Sequence, residues 1–110
     1  MGTQLRDGNI GQMGAVQVTL DPASVASNTT ATQTFTVLGL RVGDFVIVQK
    51  ATNTTGITIS NPMVSAGNTL RITLGNHTAG AVDPPSEVYR ILWFRPDVAD
   101  PLVLPGAVQV

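Results

Sequence analysis

Apolar side chains recur at every second position through most of this chain. Val16, Val18 and Leu20 alternate with Gln17 and Thr19. Phe35 and Val37 alternate with Thr32, Thr34 and Thr36, and Leu70, Ile72 and Leu74 alternate with Arg71 and Thr73. Successive side chains of a strand point to opposite faces, so each row turns one side to a core and the other to solvent. The run Phe45-Val46-Ile47-Val48 is different: it is apolar at every position, the pattern of a strand buried on both faces. No segment keeps a helical period over three turns.

Turn residues divide these rows into short strands. The first runs from Val16 to Leu20 and stops at Asp21-Pro22. Residues 23–30 read as a loop or a single helical turn. Residues 32–38 and 44–49 follow as strands, joined by a turn in which Gly39 and Gly43 supply backbone angles other residues resist. Residues 56–60 and 63–66 read as two short strands separated by Asn61-Pro62, and residues 69–74 as a third. A long loop over 75–86, carrying Pro84 and Pro85, leads to a last strand over 88–94. Many short strands with regular turn signals predict an all-β fold, a jelly-roll-like antiparallel β-sandwich.

The ends read differently. Residues 1–14 contain Gly2, Gly8, Gly11 and Gly14 and form an extended N-terminal arm, residues 15–96 the body, and residues 97–110 a C-terminal tail. Pro96, Pro101 and Pro105 forbid a helix there, yet the tail is strongly apolar. Such a tail costs solubility unless it lies in a groove of this domain or of a neighbour.

Composition narrows what the chain can do. At 110 residues it is one domain, and without cysteine it has neither disulfides nor thiolate metal sites. Charged residues are 12 % of the sequence and the net charge is −1, about half the charge density of an ordinary soluble domain. The six basic residues are scattered, which argues against nucleic acid or an anionic membrane as partner. No apolar run is long enough to cross a bilayer. A weakly charged, apolar surface instead favours cover by partner subunits.

Catalytic vocabulary is missing. His77, the sole histidine, sits in the loop sequence Asn-His-Thr-Ala-Gly and reads as a solvated loop residue, with no serine elbow to serve. One histidine and no cysteine exclude the usual zinc sets, and Asp7-Gly8-Asn9 lacks the rest of a calcium loop. No cofactor is expected. The triplets beginning at Asn28, Asn53 and Asn76 match glycan acceptors but read as turns. Tyr89 and Trp93 share a strand face, so a core cluster or an exposed aromatic patch fits them equally.

The run LDPASVASNTTATQTFTVLGLRVGDFVIVQK, followed later by VSAGNTLRITLGNHTAGAVDPPSEVYRILWFRP, resembles small structural proteins of tailed bacteriophages. The nearest type is the small capsid decoration (cement or staple) protein of short-tailed phages. The likeness spans residues 20–96 and contains no catalytic residue. It implies a jelly roll on the outer capsid surface of the virion that clamps neighbouring copies of the major capsid protein, as a dimer or trimer. On that reading Leu5, Arg6, Ile10 and Met13 in the arm, and Val98, Leu102, Val103 and Leu104 in the tail, are partner contacts. The competing expectation is a receptor- or carbohydrate-binding module of a phage tail fibre or spike, using Trp93 or Tyr89.

Overall fold

The computed structural model describes residues 10–96. Within them lie six strands: β1 (Ile10–Leu20), β2 (Thr29–Thr36), β3 (Phe45–Lys50), β4 (Ile57–Ala66), β5 (Thr69–Asn76) and β6 (Glu87–Pro96). All pairings are antiparallel and form two three-stranded sheets, ordered β1-β6-β3 and β2-β5-β4. Among the described residues there is no helix. The chain passes from one sheet to the other at β1–β2, β2–β3, β3–β4 and β5–β6, and only β4–β5 is a hairpin within a sheet. The result is a β-sandwich with the crossing connections of a jelly roll and six strands in place of eight.

The alternating rows decide which strands sit centrally. Leu70, Ile72 and Leu74 of β5 and Tyr89 and Ile91 of β6 are completely buried between the sheets. Full burial of each such aliphatic side chain is worth about 1.5–3 kcal/mol. Val16, Val18, Phe35, Val46, Val48, Ile57 and Ile59, on the four edge strands, pack against this centre and are half-buried.

Three elements differ from the sequence expectation. Residues 10–14, read as arm, belong to β1, where Gly14 lies under Trp93; a Cβ there would stand 2.7 Å from the ring. β3 is an edge strand whose outward Phe45 and Ile47 are 52 % and 57 % exposed, so its apolar run is not buried on both faces. Residues 57–66 form one strand: the register shift between Ser60 and Met63 absorbs Asn61-Pro62 as a bulge, which an edge strand tolerates. Of the two readings of residues 23–30 the loop holds: residues 21–28 are a loop, pinned by the bridge between Val25 and Val82, and residues 29–30 open β2.

One end of the sandwich gathers both chain termini of the described body. Ile10 and Pro96 are register partners there, beside the turn of residues 37–44 and the two-residue hairpin turn Gly67-Asn68. Gly39 and Gly43 both have φ of 99°, as the sequence predicts for that turn. At the opposite end Asn76 is buried, donating to the carbonyls of Val25 and Gly80 and accepting from the backbone and hydroxyl of Thr78.

Candidate functional site

The outer face of the β1-β6-β3 sheet is built from three aligned rows. Met13, Phe94 and Phe45 face one another across the strands, then Ala15, Leu92 and Ile47, then Gln17, Arg90 and Gln49. Neighbouring strands lie about 4.8 Å apart, so each row spans about 10 Å. The first two rows are entirely apolar and the third is polar. Met13 is 62 % exposed, while Leu92 and Phe94 on the central strand are half-buried. A shallow depression of about 380 Å³ lies where the second row meets the third, lined by Ala15, Gln17, Ile47, Gln49, Arg90 and Leu92 among others.

The apolar rows lie at the end that carries Ile10 and Pro96, the first and last of the described residues. Leu38 and Val42, in the 37–44 turn at that end, are also strongly exposed. Monomeric domains scatter single apolar residues over their surface, whereas a contiguous apolar block marks an interaction site.

Arg95 makes this end rigid. Its Nε and Nη2 donate to the two carboxylate oxygens of Asp44 at 2.8 Å, Nη2 also donates to the Gly39 carbonyl at 2.9 Å, and Nη1 donates to Gln12 Oε1 at 3.0 Å. The guanidinium stacks 4.8 Å from the centre of the Trp93 ring. Asp44 in turn accepts from the Arg41 backbone N–H at 2.9 Å. The paired Arg95 holds the buried Asp44 carboxyl below the usual carboxylate range against the opposing effect of burial, and the Arg41 N–H adds to the lowering. One side chain thus ties β6, β1 and the 37–44 turn together.

The opposite end of the same sheet is fixed by Lys50 of β3, ion-paired with Glu87 of β6, while Thr52 donates to Glu87 through its backbone N–H and its hydroxyl. These donors, Lys50 first, lower the Glu87 carboxyl. Lys50 Nζ also lies 5.4 Å from the Tyr89 ring centre.

The remaining outer face, on β2-β5-β4, has another chemistry. Thr30, Thr32, Thr34 and Thr36 of β2 face Gly75, Thr73, Arg71 and Thr69 of β5, and Thr32 and Thr73 share a hydroxyl hydrogen bond of 3.0 Å. It is a hydroxyl surface without a block of large apolar side chains.

Of the residues expected to contact a partner, Met13 stands in the apolar block and Ile10 begins β1, half-buried. Leu5, Arg6, Val98, Leu102, Val103 and Leu104 lie outside the described residues. Phe45, Ile47, Leu92 and Phe94 are the residues sequence reasoning missed. Their signal was present, since an all-apolar run on a strand with one uncovered face must expose half its side chains. Tyr89 is completely buried, its hydroxyl without a hydrogen-bond partner among the described residues, and burial followed by the Glu87 charge pushes its pKa up to about 12. Trp93 turns inward under Arg95. Neither offers a ring as a sugar platform.

His77 is exposed and its Nε2 lies 3.2 Å from Thr58 Oγ1. Among the described residues no three His, Cys, Asp or Glu side chains are grouped to hold a metal. Asn76, one of the three glycan-like triplets, has its amide nitrogen engaged in the interior. No protein-family model, curated protein or solved structure matches the chain.

Proposed function

We propose that this chain is a non-enzymatic structural protein of a phage virion, which docks on the outer capsid surface through the apolar face of β1-β6-β3 and stabilises the contacts between major capsid subunits. The observation that carries the reading is the block formed by Met13, Phe94, Phe45, Leu92 and Ile47. It sits on a sheet anchored at both ends by ion pairs, beside Ile10 and Pro96, the first and last of the described residues. Burying such a block releases water from apolar surface, and a rigid strand platform loses little conformational freedom in doing so. The resemblance of residues 20–96 to phage decoration proteins gives the capsid as the surface. The terminal segments, joined to the body at Ile10 and Pro96, add contacts whose combined effect grows with many copies on one shell.

The reading is tested by quantifying this chain in purified particles of the phage that encodes it, and by stripping it from them. The expected outcome is a copy number in simple proportion to the capsid subunits, located on the head, with stripped shells bursting at lower temperature and recovering on add-back. Presence at a few copies per particle in the tail, or absence from particles, would contradict it.

A further inference from the structure

Two sheets of three strands leave four edges, and the four are not equally protected. β3 and β4 run alongside each other on one side of the sandwich. β3 carries Lys50, and β4 carries Pro62 and two register shifts. Charges, proline and bulges are the devices by which soluble proteins keep an edge from pairing with another chain. On the other side, β2 is linked through the Gln33 side chain to the backbone of Ala23 in the 21–28 loop. β1 has none of this. Residues 12–20 contain no charge and no proline, pair with β6 without a register shift, and end the sheet order on their other side. Among the described residues nothing pairs with that side, so alternate N–H and C=O groups point outward along about 30 Å of strand.

We propose that this edge is a self-association site, at which β1 of one copy pairs antiparallel with β1 of a second copy across a two-fold axis. The occupant follows from the chemistry of the edge. Its complement is another uncharged extended strand, every copy carries one, and no like charges meet across the axis. Pairing joins the two sheets into one of six strands, β3-β6-β1-β1-β6-β3, with on the order of eight new backbone hydrogen bonds. A two-fold axis perpendicular to the sheet keeps both outer faces on the same side. The dimer therefore presents two Met13–Phe94–Phe45 blocks in one surface, their central strands three strand spacings, about 14 Å, apart. A single copy has one block and can only dock; the pair can bridge two neighbouring subunits. That bridging consequence rests on the proposed function, while the edge pairing does not.

The full chain, without capsids, provides the test. Sedimentation equilibrium should give twice the 11.5 kDa chain mass. Because the chain has no cysteine, single cysteines report the interface directly. Met13→Cys, Ala15→Cys, Gln17→Cys and Thr19→Cys, oxidised singly and in pairwise mixtures, should crosslink strongly only in combinations whose residue numbers add to one common sum, as the two-fold axis requires. Directly opposed residues bring Cα atoms within disulfide reach, and a step of two residues does not. Gln49→Cys on β3 and Thr34→Cys on β2 should stay uncrosslinked. A monomeric mass, or a dimer that crosslinks through the control positions in preference to β1, would overturn the proposal. Either result would leave capsid binding, measured separately on particles, to stand or fall by itself.

Discussion

At the scale of single residues, one interior group among the described residues works against its surroundings. The Tyr89 hydroxyl is buried with no hydrogen-bond partner, and an unmade bond on a buried polar atom costs about 1–3 kcal/mol. The ring itself packs between the sheets and under the Lys50 ammonium. Removing only the oxygen keeps that packing. Tyr89→Phe should therefore leave the unfolding free energy from urea titration unchanged or raise it, by up to about 1 kcal/mol. A loss of more than 1 kcal/mol would mean that the hydroxyl has a partner. Asp44 is the opposite case, a buried carboxylate whose oxygens are met by Arg95 and by the Arg41 N–H.

At the scale of elements, that carboxylate joins three of them, because its partner Arg95 also reaches Gln12 and the Gly39 carbonyl. Asp44→Asn keeps the shape and removes the charge, and should cost about 2 kcal/mol at neutral pH, the worth of a hydrogen bond to a charged group. Folding lowers the Asp44 pKa, so its stabilisation is complete above the unfolded-state value and fades as pH falls through the folded-state value. The difference between wild type and Asp44→Asn should accordingly be constant near neutrality and close in acid, below the ordinary aspartate range. Urea unfolding across pH measures both; a gap that stayed constant into strong acid would contradict the assignment. The elements themselves were legible to different degrees. β1, β2 and β5 were readable because their inner residues alternate, as in Leu70, Ile72 and Leu74. The Gly39 and Gly43 turn was readable because few other residues adopt its angles. Two features were not. Periodicity cannot tell Phe45–Val48 in a buried central strand from the same residues on an edge, since strand order is set by the whole chain. Asn61-Pro62 signals a turn locally, but pairing of Met63 with Arg71 and of Ser60 with Thr73 carries the strand through it. Half the candidate site was hidden for the first of these reasons: the apolar row was visible, its exposure was not.

At the scale of the molecule, a small sandwich with few charges divides its surface by chemistry. One outer face is hydroxyl-rich, one is apolar at a single end, and Ile10 and Pro96 stand at that apolar end. The ion pairs Arg95–Asp44 and Lys50–Glu87 hold that sheet at its two ends, so docking meets a preformed surface. Phe45 and Ile47 are more than half exposed, and polar replacements there should change folding stability by only about 0.5 kcal/mol, as at other surface sites. The same replacements should weaken docking severely, because each side chain withholds apolar area from water only in the complex, about 1 kcal/mol or more apiece. The most direct measurement is cosedimentation of the Phe45→Ser/Ile47→Ser double variant with capsids stripped of this chain, alongside its urea midpoint. The account predicts binding at least about 10-fold weaker than wild type with the midpoint nearly unchanged. Binding equal to wild type by a folded double variant would contradict it.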